Sequence, residues 1–333
     1  MGPEEMAGDM TDEDDDSTYS MTSSIMHFNY ENGRRYHAYH EGRYIMPNDE
    51  HEQDKLLIAH YINEIALDGK LFLAPLERVP ENVLDIGTGR AEWAIDFAEY
   101  IYHTCKECDD LNRADHEDAK TVPFYEGTWH GSEPDPTAME VRVDQSRVPE
   151  NLKFEIDDAE DDWLYTDPFD LIHTRTLCGG IRDWPRFHKQ AYKHLKPGGW
   201  IELQENEAWF QGEGGTYPKD GWTPHFLRLL DEASIMAGAR LNVAAEQKQH
   251  LIDCGFVDVQ DVAIPLPLSE WHDDPKMKHI GRLRGRAMNE GVEGYSLALF
   301  SRVLGWTKAE LQILLANVRR EFNDPANRMY IVE

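Results

Sequence analysis

The sequence has few cysteines and no long hydrophobic segment, and both shortages exclude classes of protein. Four cysteines among 333 residues are too few for a disulfide framework, so we expect a reducing compartment, the cytoplasm or the nucleus. No apolar run reaches the length of about 18 residues that a transmembrane helix needs. The acidic N-terminus lacks the basic and apolar regions of a secretory signal, so we expect none.

Basic residues are also scarce. The chain has 33 Lys and Arg against 63 Asp and Glu, which gives a formal net charge of −30. A nucleic acid duplex or an anionic membrane surface would repel such a chain, and no long basic patch compensates. We therefore expect neither nucleic acid nor a membrane as a partner.

The first residues contain little that can form a core. Residues 1–24 hold eight acids, no Lys or Arg and few large apolar side chains. Such a segment buries too little surface to offset the entropy lost on ordering. We predict a disordered acidic tail over residues 1–30.

The rest of the chain alternates between short apolar runs and amphipathic segments. Predicted helices cover 49–67, 90–102, 184–195, 241–255 and 307–324. Predicted strands cover 81–87, 139–146, 152–159, 169–175, 200–206, 256–266 and 327–333. This alternation is typical of an α/β fold with a mostly parallel sheet and helices on both faces.

A glycine turn follows the first predicted strand of this sheet, in the stretch VLDIGTGRAEW (83–93). Gly87 and Gly89 allow the backbone to turn and to approach a ligand closely. Nicotinamide, flavin and S-adenosylmethionine sites all use such turns. Asp85 favours S-adenosylmethionine, because a carboxylate suits the cationic amino-acid end of that cofactor and repels a pyrophosphate. A nicotinamide cofactor is also disfavoured because Glu92 replaces the last small residue of the GxGxxG pattern.

Acidic residues end the next two predicted strands. Asp144 ends the second strand, where a carboxylate can accept both ribose hydroxyls of an adenosine cofactor. Asp158, followed by Ala159, ends the third, where an acid can accept the adenine amino group. The competing interpretation is that 157–162 is only a solvated acidic turn.

Candidate catalytic residues lie at the ends of the fourth and fifth predicted strands. His173 and Arg175 follow the fourth strand, and Glu205 follows the fifth. Methyl transfer from a sulfonium requires mainly positioning, and a general base is optional. His173 alternates with apolar residues on a buried strand, which favours a structural role. The sequence therefore assigns no catalytic residue, with His173 and Glu205 as the candidates.

A segment without clear periodicity, about 102–138, interrupts the pattern. Cys105 and Cys108 form a CxxC pair, and His116 and His130 are ligand types for zinc. The second pair lacks the usual spacing, so we favour a flexible insertion and predict no metal.

Six blocks of the sequence carry a family resemblance. They are ENGRRYHAYHEGRYIMPNDEHEQD (31–54), NVLDIGTG with the Trp that follows (82–93), NLKFEIDDAEDDW (151–163), FDLIHTRTLCGGIRDW (169–184), LKPGGWIELQE (195–205) and EGYSLALFSRVLGWTKAEL (293–311). In this order they resemble the fungal LaeA-like, or TAM-domain, methyltransferases from about residue 31 to 324. The resemblance implies a class I methyltransferase Rossmann-like fold with a seven-stranded sheet and S-adenosylmethionine as cofactor.

Two functions remain possible under this resemblance. One is an enzyme that methylates a small molecule in fungal secondary metabolism. The other is a regulator of secondary metabolism that binds the cofactor and acts through protein partners, with weak or no turnover.

We predict a division of the chain into an N-terminal helical cap segment, 31–80, and a methyltransferase domain, 81–333. The domain contains the insertion at about 102–138 and two lid segments, at about 207–240 and 267–300, which interrupt the alternation of strands and helices. The tyrosines of the cap segment either pack on the sheet or lie over the sulfonium, which cation–π attraction favours; they are Tyr36, Tyr39 and Tyr44. The chain departs from the family at Arg90-Ala91-Glu92, where Thr-Gly-Ile is usual.

Overall fold

The computed structural model describes residues 28–37, 44–111, 127–130, 149 and 151–333. Its strands are β1 Phe28–Glu31, β2 Arg34–His37, β3 Val83–Ile86, β4 Gly127–His130, β5 Phe154–Asp157, β6 Phe169–Arg175, β7 Leu195–Gln204, β8 Gln211–Gly212, β9 Pro265–Pro267 and β10 Met329–Val332. Its α-helices are α1 Glu50–Ala66, α2 Glu92–Leu111, α3 Trp184–His194, α4 Trp222–Met236, α5 Ala244–Cys254, α6 Pro275–Ala298 and α7 Lys308–Phe322. None of these helices is both long enough and apolar enough to span a bilayer.

Five strands form a parallel sheet in the order β5-β4-β3-β6-β7. Alternate residues of the central strands point to opposite faces, and helices cover both. Val83 packs with Trp93 of α2 on one face, while Leu84 packs with Phe187 of α3 on the other. All four residues of β3 are buried, as expected for a strand covered on both sides. The predicted α/β fold is confirmed.

The prediction of seven strands in one sheet is wrong for the described residues. The five-stranded sheet is accompanied by a separate three-stranded antiparallel sheet, β8-β10-β9. Most of the predicted strand 256–266 is irregular, and only Pro265–Pro267 pairs, with β10. The alternating valines favoured a strand there. Asp258, however, has a φ of 54°, which turns the chain, and Val257 is 80% exposed.

The strand between β3 and β5 also differs from the prediction. Gly127–His130 takes this position, with Asp85 opposite Gly127 and Phe154 opposite Gly127 on the other side. The predicted strand 139–146, including Asp144, lies outside the described residues. A run of four residues is too short to show periodicity, which explains why β4 was not predicted.

Several element ends agree with the sequence. The bounds of β6 are those predicted, and Thr307 and Glu310 form the predicted capping box at the start of α7. Asp49 caps α1 by accepting from the backbone N–H of Glu52 at 3.1 Å. The predicted helix 90–102 continues to Leu111, and the predicted turn 196–199 is a bulge inside β7.

Candidate functional site

A pocket opens at the carboxyl ends of β3 and β6, where ligands bind in open α/β sheets. Its walls come from α1, the β3–α2 turn, the first residues of α2 and the end of β6. The predicted site residues Asp85, Gly87, Gly89 and His173 all line it. The structure therefore brings together four residues whose sequence separations reach 88 positions.

The β3–α2 turn depends on backbone conformations that glycine adopts without strain. Gly87 has a φ of 72°, and a Cβ there would lie 2.3 Å from Leu177 Cδ2. Gly89 has a φ of 56°. Ala91 also has a positive φ, 67°, although it carries a Cβ and is fully buried. Ala91 stands where the family usually has a glycine, and the backbone there stays left-handed although the glycine is missing.

Asp85 is held by two side chains. Its Oδ2 accepts from Thr88 Oγ1 at 2.5 Å, and its Oδ1 accepts from His173 Nδ1 at 2.7 Å. Only 6% of the residue is exposed. A carboxylate offers about four acceptor positions, and the side chains of the described residues use two of them.

His173 is enclosed. Its ring stacks on the indole of Trp93, with ring centroids 3.6 Å apart and an interplanar angle of 5°. The residue is 0% exposed, and its Nε2 has no hydrogen-bond partner in the described part of the chain. Because Nδ1 donates to Asp85, the ring orients that carboxylate.

The departure at Arg90 is compensated locally. Arg90 Nε lies 3.1 Å from Glu92 Oε1, and Arg90 Nη1 lies 3.8 Å from Asp54 Oδ1. The two charged residues among the three that depart from the family pattern therefore pair with each other. The charge that Arg90 presents to the pocket is partly neutralised.

Three other predicted site residues lie elsewhere. Asp158 and Ala159 follow β5, two strands from β3, and are not in the lining of the pocket. The Asp158 carboxylate accepts from the backbone N–H of Glu160 at 2.9 Å. Glu205, just after β7, lines a second groove beside the edge of the sheet.

Glu205 is a buried acceptor of backbone hydrogen bonds. Its carboxylate accepts from the N–H of Leu177 at 2.7 Å and from that of Cys178 at 3.3 Å. Burial raises the pKa of Glu205 to about 7, although these two hydrogen bonds act in the opposite direction. The geometry makes Glu205 a support for the loop after β6.

The side chains of the possible zinc site and one tyrosine of the cap segment lie outside the residues that the structure describes. The side chains of Cys105, Cys108, His116 and His130 lie outside the described residues, as does Tyr39. Within the described ranges, no cluster of three or more His, Cys, Asp or Glu has the geometry of a metal site. Of the cap-segment tyrosines, Tyr44 lines the pocket.

Comparison with known proteins identifies the family. The model of the methyltransferase domain family matches residues 58–290. The chain belongs to this family. It is 35% identical to methyltransferase pytC of Aspergillus terreus over 307 residues, 92% of this chain and 86% of that protein. It is 32% identical to the secondary metabolism regulator LAE1 of Cochliobolus heterostrophus over 298 residues, 87% and 88% of the two chains.

A solved structure extends the comparison. The phosphoethanolamine N-methyltransferase 2 of Haemonchus contortus, in complex with S-adenosyl-L-methionine, matches with a TM-score of 0.39 and 13% identity. The match covers 84% of this chain and 50% of that chain. Family membership confirms the resemblance drawn from the sequence blocks. Methyltransferase activity and S-adenosylmethionine as cofactor are confirmed with it.

Sequence reasoning missed two polar residues of the pocket, His60 and Thr88. Thr88 stands between the two glycines, and its spacing of three from Asp85 in a turn was an available signal. His60 lies on α1, and its partner Arg175 is 115 positions away. No local pattern indicates such a contact.

Proposed function

We propose that the pocket at the end of β3 binds S-adenosylmethionine and that the chain methylates a small molecule of fungal secondary metabolism. The observation that carries this proposal is the position of Asp85 beside the glycine turn. Asp85 lines the pocket with a carboxylate that Thr88 and His173 hold in place. An ammonium group fits such a carboxylate.

The backbone of the turn supports the same assignment. Gly87 and Gly89 line the pocket with backbone alone, which lets a ligand approach the main chain of the turn closely. When bound, the cofactor supplies an electrophilic methyl group on a sulfonium. The residues around the pocket then need to orient the reactants and exclude water.

His173 is proposed to act as a positioning residue and not as a base. Its Nδ1 is engaged by Asp85 and its ring is covered by Trp93. The candidate role of Glu205 as a catalytic residue receives no support from its place in the second groove. Asp144 and Asp158 remain predicted contacts of the ribose and the adenine.

A regulatory function is the second candidate, and the similarity to the regulator LAE1 favours it. It would use the same cofactor pocket, together with protein partners, in the nucleus. The enzyme would work in the cytoplasm or the nucleus. The division into cap segment, insertion and lids remains part of this proposal.

The test is calorimetric titration of the purified chain with S-adenosylhomocysteine and, separately, with NAD. We expect S-adenosylhomocysteine to bind and NAD to give no heat. Asp85→Asn should weaken S-adenosylhomocysteine about 10- to 100-fold, because a charge-assisted hydrogen bond contributes about 1.5–3 kcal/mol. Binding of NAD alone would contradict the proposal. Tight cofactor binding without methylation of any small molecule would favour the regulator.

A further inference from the structure

Among the described residues, the guanidinium of Arg175 lines the pocket and has no carboxylate partner. Arg175 ends β6, and its Nη2 donates to His60 Nδ1 at 3.2 Å. Arginine has no acceptor, so His60 accepts at Nδ1 and donates from Nε2 to Asp96 Oδ2, 2.8 Å away. In the parts of the chain that the structure describes, no carboxylate oxygen lies within 4.0 Å of the Arg175 guanidinium.

The other arginine of the pocket is a useful contrast. Arg90 lies within ion-pair distance of Glu92 and Asp54, so its charge is partly neutralised before any ligand arrives. Arg175 faces a histidine that accepts through a neutral nitrogen. Only Arg175, of these two, has its charge available for a ligand.

The strand register places this charge relative to Asp85. Asp85 lies opposite His173 in the sheet, and their side chains meet at 2.7 Å, so they share one face. Arg175 is two residues further along β6, and side chains two apart in a strand point to the same face. The backbone of Arg175 therefore lies about 7 Å beyond that of Asp85 along the strand direction, and both side chains leave the sheet on one face.

The surroundings of Arg175 favour an incoming anion. Burial lowers the pKa of Arg175, and the attraction of Asp85, Glu333, Asp96 and Glu92 only partly compensates. An anion placed against the guanidinium would supply the missing partner. A buried charge without such a partner is costly for the folded protein.

We propose that Arg175 binds the carboxylate of the methionine end of S-adenosylmethionine while Asp85 binds its ammonium group. This inference rests on the proposed function. An acceptor molecule is the other possible source of a carboxylate. The cofactor is favoured because an α-amino acid carries both charges on one carbon, which matches the paired charges on one face of the sheet.

The test compares two ligands that differ in that carboxylate, S-adenosylhomocysteine and its decarboxylated analogue S-adenosyl-3-thiopropylamine. Their affinities for the wild type, Arg175→Met and Arg175→Lys are measured by calorimetry at one salt concentration, because exposed charges are screened. Arg175→Met should weaken S-adenosylhomocysteine about 10- to 100-fold and leave the analogue nearly unchanged. Arg175→Lys keeps the charge and should give an intermediate loss.

Arg90→Met is the matched control. It removes a guanidinium from the same pocket, but one that is already paired, so S-adenosylhomocysteine should weaken less than about threefold. Thermal unfolding without ligand checks the fold. Arg175 has no ion pair among the described residues but donates to His60, so the gain from removing the charge and the loss of this hydrogen bond should leave the unfolding temperature of Arg175→Met within a few degrees of the wild type.

The outcomes separate this inference from the proposed function. If the wild type binds neither adenosyl ligand, the proposed function fails. If the wild type binds both and Arg175→Met weakens both equally or neither, the assignment of Arg175 to the cofactor carboxylate is overturned. Unchanged S-adenosylhomocysteine affinity with lost methyl transfer overturns it too, in favour of an acceptor carboxylate.

Discussion

The two sides of β3 are organised differently. Towards β6, four residue pairs from Val83–Leu171 to Ile86–Thr174 align, and buried polar groups cross between the strands. Towards β4, two pairs align, Asp85–Gly127 and Ile86–Thr128. The described contacts that shape the pocket therefore come from the β6 side. The comparison shows that the part of the pocket proposed to bind the methionine end is built by long-range polar contacts, whereas the ribose end was expected from the acid of a single strand.

The largest effect should come from removing Glu205, which supports the loop after β6. Glu205→Ala leaves the N–H groups of Leu177 and Cys178 without their acceptor. Each buried unpaired donor costs about 1–3 kcal/mol, so the free energy of unfolding should fall by about 2–5 kcal/mol in urea titrations at pH 6.

Glu202→Ala is the control for that loss. Glu202 also accepts from two backbone N–H groups, those of Leu73 and Ala74, but near the surface, where water can replace it. Its loss should be below about 1.5 kcal/mol. If the free energy of unfolding falls equally in the two variants, the burial of Glu205 does not make its hydrogen bonds more important than those of Glu202.

The pH dependence of stability should reveal the same residue. The pKa of Glu205 is raised by burial from 4.5 to about 7, so the folded state keeps a proton between these values that the unfolded state has lost. Unfolding releases this proton, and the contribution of Glu205 to stability therefore decreases as the pH rises through this window. The decrease amounts to at most about 3 kcal/mol.

Glu205→Gln removes this titration. Urea unfolding at pH 4.5 and pH 7.5 should show a smaller difference for the variant than for the wild type. The same pH dependence in both proteins would mean that another group titrates.

A proline substitution tests the side of β3 that faces β4, where fewer residue pairs align. Thr128 pairs with Ile86 on one side and Glu155 on the other, so Thr128→Pro removes a ladder hydrogen bond inside the sheet. We expect the free energy of unfolding to fall by about 1–3 kcal/mol. Val141→Pro, in the segment that the sequence predicted as this strand, is the comparison. If Val141→Pro is the more damaging, the sequence prediction of strand two is the better one.

The smallest effect is expected at Ala91. Ala91→Gly relieves a left-handed backbone, worth about 1–2 kcal/mol, but loses a buried methyl group worth about 0.8 kcal/mol and adds chain entropy. The melting temperature should change by only a few degrees in either direction. Ala91→Val, with a branched side chain at a positive φ, should lower it clearly. Equal melting temperatures for the two variants would contradict the left-handed conformation.

The sequence predicts the features that depend on local signals and misses those that depend on contacts between distant parts of the chain. The bounds of β6 and the turn with Gly87 and Gly89 depend on local signals, an apolar run and backbone freedom, and these were predicted. The contact of Arg175 with His60 depends on the position of α1 beside the end of β6, which no window of sequence contains. The strand Gly127–His130 was missed because four residues give no periodic signal. The roles of Asp144 and Asp158 stay predictions.

The ion pair of Arg34 with Asp49 affects how this protein can be divided into modules. Asp49 caps α1 and also pairs with Arg34 of β2, with Nη2 to Oδ1 at 2.8 Å. Helix α1 supplies Leu56 and His60 to the pocket, yet the family match begins at residue 58, inside that helix. A recombination event that exchanged residues 58–290 alone would separate the pocket from part of its own wall. The wall of this pocket therefore begins before residue 58, and the ion pair of Arg34 ties the hairpin before α1 to the helix that supplies that wall.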